Sequence, residues 1–175
     1  MLTFRLLVLC LFAALSALTA CSAPTLRGDT AGAALSANAE RDRLRGAMRV
    51  QRNPTGPGDP NALWTPRLDG AGFMTLLEGR LEEVGYLAPS AADAPYQVTA
   101  RIERLDQPLE GITYDVTTKV RYRVHRGGDV REFPIVTTAS ASLIDHIVAT
   151  QRLRIASERS VAANIEAFIE ALAAY

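Results

Sequence analysis

Few residues in this sequence have the chemistry of a reactive centre. There are two cysteines and two histidines in 175 residues. Cys10 lies inside an apolar run and Cys21 ends it, so beyond Cys21 the chain offers no thiol for a disulfide, a thiolate metal site or a nucleophile. His125 stands at a polar strand end beside Gly127-Gly128, and His146 near the start of the last helical segment. Even with Asp145 or Glu132 added, their spacing is not a ligand pattern, and solvated histidines are expected at both. Ser140, Ser142, Ser157 and Ser160 sit in no Gly-x-Ser-x-Gly elbow and no Ser-x-x-Lys pattern, so capping and exposed positions are expected for them. Acid–base chemistry takes two carboxylates in contrasting environments, whereas Glu103, Glu110 and Asp115 fall on polar faces or in turns. Gly127-Gly128 reads as a hairpin tip, and Gly70 and Gly72 precede a helix without the lysine of a phosphate-binding loop. The expectation is a protein without catalytic residues, cofactor or metal.

Anion binding is the chemistry that the spacing does favour. Arg101, Lys119, Arg121 and Arg123 fall on one parity of two alternating strands and would project from the same face of a sheet, with Arg126 and Arg131 at the adjoining turn. Guanidinium groups bind phosphate bidentately, so such a face would suit lipopolysaccharide phosphates or an acidic partner. Glu103 and Asp115 offset part of the charge, and a solvated face that protects sheet edges is the structural alternative. A second basic set, Arg152, Arg154 and Arg159, falls on the last helix. The chain is neutral overall, which argues against a nucleic-acid partner.

The elements that would position these residues follow from periodicity. Ala47–Gln51 is a short, weak strand. Asn53 to Asn61 holds three prolines and two glycines and must be loop. Phe73, Leu76, Leu77, Leu81 and Val84 then recur at helical spacing, with Asp69 as N-cap and Gly85 as C-cap. Tyr96, Val98, Ala100 and Ile102 alternate with polar residues over Tyr96–Asp106. The same holds for Ile112, Tyr114, Val116, Val120, Tyr122 and Val124 over Ile112–His125. A third strand, Val130–Leu143, continues the apolar phase through Phe133 and Ile135, and Pro134 marks an edge or a bulge. From about Ser142 the period becomes 3.6, with Val161, Ile165, Phe168, Ile169 and Leu172 on one face and Ile147, Leu153 and Ala156 suggesting an earlier start. The expected fold is α+β: a two-layer domain whose mostly antiparallel sheet of three to four strands carries two helices on one face. Its composition, 48% apolar and 22% charged, is that of a globular domain.

The N-terminus is an address. Residues 1–20 combine an early arginine, an apolar run from Leu6 to Ala20 and a small-residue end, which makes an export signal; 15 residues are short of the ~20 that cross a bilayer. Leu18-Thr19-Ala20-Cys21 resembles the bacterial lipobox, in which the cysteine thiol is acylated and the chain cut before it. That resemblance implies a permanent anchor of two or three acyl chains on Cys21, each chain stabilised by ~0.8 kcal/mol per buried methylene. Ser22, where aspartate would signal retention, implies the outer membrane, facing the periplasm, by the enterobacterial sorting rule. Residues 21–46 read as lipidated N-terminus and flexible tether with an r.m.s. reach of ~25–30 Å, a short helix near 35–45 being compatible. Residues 47–175 form the periplasmic domain.

The frame Phe73, Leu77, Leu81, Gly85-Tyr86-Leu87, then Tyr96-x-Val98, a long alternating hairpin and a terminal helix, resembles small periplasmic lipoproteins. These are the LPS-assembly lipoprotein family and the lipoproteins allied to the curli-export domain. Gln151-Arg152-Leu153-Arg154 with Ala156, Glu158 and Asn164-Ile165 is similar to uncharacterised proteobacterial lipoproteins. The resemblance implies a role in envelope assembly and assigns no residue. The expectation is therefore a lipid-anchored, non-catalytic partner-binding or assembly module in outer-membrane biogenesis or transport. Its partners would be the membrane through its lipid and an envelope protein or lipopolysaccharide. A structural spacer without ligand is the alternative, and an envelope enzyme the third.

Overall fold

The structure is a computed structural model that describes residues 39, 41–52 and 70–174, all within one compact unit, Leu35–Tyr175. The expected export signal, Cys21, most of the expected tether, the Pro/Gly segment and Asp69 lie outside the described residues. The elements run β1 (Met48–Val50), α1 (Gly70–Glu83), a single 3-10 turn (Ala91–Asp93), β2 (Tyr96–Asp106), β3 (Tyr114–Arg126), β4 (Asp129–Ala141) and α2 (Ala149–Ala173).

The four strands form one sheet in the order β1-β2-β3-β4. β2, β3 and β4 make an antiparallel meander, as alternation predicts; β1 pairs with β2 in parallel, Met48 opposite Tyr96. Parallel neighbours need a crossover, and α1 lies within it. β3 and β4 turn on Gly127-Gly128, where Gly127 at φ +60° supplies the left-handed backbone that a two-residue hairpin loop demands. β4 is an edge strand, and Pro134 sits in it without breaking a central ladder.

α1 and α2 cover one face of the sheet. α2 packs on β3 and β4, and α1 over the β1–β2 side. In α1, Phe73, Met74, Leu77 and Leu81 are buried. Leu76, expected in the stripe, is half exposed, because it lies about 110° round the helix from the centre of that buried arc. Gly85 ends the helix at φ +75°: Tyr86 N–H donates to Leu81 O at 2.8 Å and Gly85 N–H to Glu82 O at 2.9 Å, the paired bonds of a Schellman cap.

The layers meet at an aromatic cluster. The Tyr122 and Phe168 rings stack at 3.9 Å, Phe73 lies 6.2 Å from Tyr122, and Phe133 meets Phe168 edge-on at 5.7 Å. Three further residues in or near these elements depart from their expected places. Leu44, read within the tether, is 3% exposed and belongs to the core, so the packed fold begins before Ala47. Ile112 lies outside β3 and Ile147 outside α2, and both are exposed loop residues.

Candidate functional site

The register places Arg101 opposite Arg121, Arg104 opposite Lys119 and Thr99 opposite Arg123, so the expected basic residues do share the outer face of β2 and β3. A bulge between Ile102 and Arg104 makes Glu103 the extra residue. It reaches both Arg121 Nε at 2.5 Å and Lys119 Nζ at 3.2 Å. On the other side, Glu132 of β4 takes Arg123 Nε at 2.7 Å and Arg121 Nη1 at 3.1 Å. Three of the cations thus enclose two carboxylates in a ladder running Lys119, Glu103, Arg121, Glu132, Arg123. Arg121, then Lys119, hold the Glu103 carboxyl below its usual range; Arg123, then Arg121, do the same for Glu132. Arg101 has no ion pair among the described residues. Asp115, expected to offset the charge, instead accepts a hydrogen bond from the Ser140 hydroxyl across the strands. Sequence reading weighs Glu132 only beside the histidines, because its place among the arginines depends on the β3–β4 register, which alternation alone does not fix.

The remaining candidates scatter. His125 ends β3 near the hairpin, while His146 lies beyond the opposite end of the sheet, where its Nδ1 accepts the Val148 N–H at 3.0 Å. Ser157 and Ser160 are neither caps nor exposed: both are fully buried in the middle of α2. Ser142 sits in the turn after β4, its N–H donating to Asp145 Oδ2 at 2.8 Å. The second basic set separates too. Arg154 approaches Glu158 at 3.8 Å, Arg159 pairs with Asp145 at 2.6 Å, and Arg152 is 5% exposed.

Arg152 organises the end of the sheet where β2, β3 and β4 give way to loops 107–113 and 142–148. Its Nη1 donates to Ile147 O at 2.6 Å and His146 O at 3.1 Å, and Nη2 reaches Gly111 O at 3.5 Å. The guanidinium carbon lies 5.4 Å from the centre of the Tyr114 ring. One cation therefore bridges both loops through carbonyl oxygens, and its buried Nε has no hydrogen-bond partner among the described residues. These clamped loops turn aliphatic side chains outward. Ile144 is 98%, Leu109 91% and Ile147 86% exposed, and Ile112, Leu143 and Val148 are each at least half exposed. Of these, Ile112 and Leu143 are expected within strands and Ile147 at the start of the last helix, but all three lie in the loops.

At the opposite end, where the chain enters the fold, an open groove of about 600 Å³ lies between Leu44, the start of β2 and the β3–β4 hairpin. Leu44, Tyr96, Phe133 and Leu172 line it together with Arg43, Arg126 and Arg131. The Arg126 guanidinium stands 5.2 Å from the centre of the Tyr96 ring.

No protein-family profile matches the chain, and no curated protein matches it either. Solved structures do. A candidate lipoprotein of Caulobacter crescentus aligns with 77% of this chain and 93% of its own, at 13% identity and a TM-score of 0.50. A hypothetical protein of Chlamydia trachomatis aligns with 74% of this chain and 98% of its own, at 15% identity and a TM-score of 0.46. A Xanthomonas campestris protein of family DUF330 aligns with 75% of this chain and 81% of its own, at 13% identity and a TM-score of 0.32. The α+β fold built from this sequence is thus similar to that of the Caulobacter candidate lipoprotein over most of both chains.

Proposed function

We propose that the protein is a lipid-anchored, non-catalytic docking module of the bacterial envelope. Acylated Cys21 would hold it in the outer membrane facing the periplasm, and it would engage a protein partner through the apolar loops at the far end of its sheet. The observation that carries this reading is the outward display of Leu109, Ile112, Leu143, Ile144, Ile147 and Val148 on loops that Arg152 clamps. Burying such a side chain contributes roughly 1.5–3 kcal/mol, which the isolated domain forgoes at each position. Contiguous exposed apolar surface of this kind marks interaction sites.

Orientation favours a protein over the anchoring bilayer. Thirteen residues of β3 at ~3.3 Å each separate the two ends by ~40 Å. Leu44, on the Cys21 side of the domain in sequence, packs at the end opposite the apolar loops. Their charged neighbours are Glu110 and the internal pairs Arg104–Asp106 and Arg159–Asp145, which offer no cationic excess for anionic lipid. The ion-paired basic face serves in this reading as a solvated outer surface, with lipopolysaccharide as the competing ligand for it.

The test is a photo-crosslinking residue at Ile144 or, as control, at Gly128, in the acylated chain in its native envelope. A discrete protein crosslink from position 144, absent from 128 and lost with Leu109→Ser and Ile147→Ser, is expected. A spacer would give no site-dependent product, and crosslinks to lipid alone would replace the protein partner by a membrane.

A further inference from the structure

β4 carries a row of backbone groups that the domain itself does not use. The two-residue turn makes Arg126 and Asp129 a hydrogen-bonded pair, and such pairs alternate with non-bonded ones along an antiparallel ladder. The odd-numbered residues of β4 therefore bond to β3, and the even-numbered ones aim their N–H and C=O groups at the free edge. Pro134, which has no N–H, falls in the outward set, where the ladder loses nothing by it. Past it, the N–H groups of Val136, Thr138 and Ser140 have no hydrogen-bond acceptor among the described residues. The Ser140 carbonyl accepts from Arg159 Nη1 at 3.0 Å and keeps a second lone pair. This stretch lacks most of the usual edge protection: residues 133–141 carry no charged side chain, and the β3–β4 register runs from Asp129 to Ala141 without a bulge.

We propose that this edge pairs with the same edge of a second copy, antiparallel about a two-fold axis at Thr138, joining the two four-stranded sheets into one. The free donors choose the occupant. Val136, Thr138 and Ser140 are symmetric about Thr138, so each N–H meets a carbonyl of the other copy: Thr138 pairs with Thr138, and Val136 with Ser140 in both directions. An isologous contact requires that self-complementarity, and pairing with a foreign strand does not. The next position on either side sets Pro134 against Ser142, whose N–H is already given to Asp145 Oδ2 at 2.8 Å, so the pairing ends where the free donors end. On the outer face it sets threonine beside threonine and valine beside serine, with no like charges opposed. Val136, 58% exposed in the single domain, is covered from that side. The pairing draws on none of the exposed aliphatic residues of the docking loops, so it stands whether or not those loops engage a partner.

Sedimentation equilibrium of the full chain in maltoside micelles, from micromolar to near-millimolar concentration, tests this. A reversible monomer–dimer equilibrium is expected. Thr138→Pro deletes an outward N–H from each copy without touching the β3–β4 ladder, as Pro134 already does on this edge, and should weaken the pairing at least about tenfold. Val130→Pro makes the same change on the same edge outside the pairing and should leave it intact. Thr138→Lys, which asks nothing of the backbone, sets two charges together at the axis and should weaken the pairing similarly. Unfolding midpoints show that each variant keeps the fold. In hydrogen exchange the amides of Val136, Thr138 and Ser140 should slow at least about tenfold as the dimer forms, while that of Val130 stays fast. A monomer at every concentration would leave the edge to a strand of another protein and overturn the proposal. A dimer that both Thr138 variants leave intact, or that Val130→Pro weakens equally, would overturn it as well.

Discussion

The Tyr122 hydroxyl donates to Asn164 Oδ1 at 2.8 Å where α2 crosses β3, and both side chains are fully buried. The Asn164 amide nitrogen lies 3.1–3.2 Å from Thr118 O, Ile135 O and Thr137 Oγ1. One turn earlier, the Ser160 hydroxyl reaches Thr118 Oγ1 at 2.8 Å and Thr137 O at 3.1 Å. A polar seam thus runs under α2 through an otherwise apolar layer. It fixes the register of the helix on the sheet, because sliding α2 would leave several buried groups unpaired.

Tyr122→Phe should therefore cost about 1–2 kcal/mol and Asn164→Ala about 3 kcal/mol, the latter leaving more partners stranded. Urea unfolding monitored by circular dichroism measures both, with a lower midpoint and an unchanged m-value expected. A Tyr122→Phe variant as stable as the parent would show that the bond contributes nothing net.

How far this was legible in the sequence depends on the side chain. Tyr96, Val98, Val120 and Tyr122 gave away the strands, because a half-buried sheet imposes period two on them. Thr118 keeps the same parity, yet a threonine there does not announce burial. In α2 the i, i+4 row Arg152, Ala156, Ser160, Asn164, Phe168 is the buried ridge. Its polar members read as solvent-facing until their strand partners are known, which is why Arg152 was grouped with Arg154 and Arg159. The outer face was legible as a set of cations, since parity assigns it. Its neutralisation was not, since Glu103 acts through a bulge and Glu132 through a neighbouring strand's register.

The carboxylates of that ladder set an acid limit. Glu103, Glu132 and Asp145 are all held below the usual carboxylate range by neighbouring arginines. In acid the unfolded chain then binds protons before the native one, so stability is fully present above the ordinary carboxylate pKa of about 4 and declines as pH falls through the lower native values. The melting temperature should be flat from pH 7 to 5 and drop below about pH 4, with a shallower drop in the Glu103→Gln/Glu132→Gln variant. All three groups are solvent-exposed, so added salt should weaken the effect. An identical acid profile in the double variant would remove these two residues as its source.

Gly111 holds its loop in a conformation other residues avoid. Its φ is +148°, and a Cβ there would come within 2.8 Å of Thr113 O, a backbone atom with little room to yield. Gly111→Ala should cost about 1–3 kcal/mol through strain and displace the carbonyl that Arg152 reaches. The same change at Gly128, which has open space around it and no positive φ, should be far milder. Comparing the two unfolding midpoints checks the assignment, and equal losses would contradict it.

Arg152 separates stability from order. Burying a guanidinium with carbonyl oxygens as its acceptors carries a desolvation penalty of several kcal/mol, while its three hydrogen bonds return about 1.5–3 kcal/mol each. These terms nearly cancel, so Arg152→Met, similar in length and apolar, should change global stability by only about 1–2 kcal/mol. Loops 107–113 and 142–148, however, lose the side chain that joins them. Hydrogen exchange followed by mass spectrometry should speed up at least about tenfold in both loops while α1 and β1 stay unchanged. Looser loops must be ordered again on docking, so crosslinking from position 144 should fall even though Leu109, Ile112 and Ile147 are all still present. If exchange in both loops is unaltered, Arg152 does not clamp them, and the rigidity on which the docking surface depends must come from elsewhere.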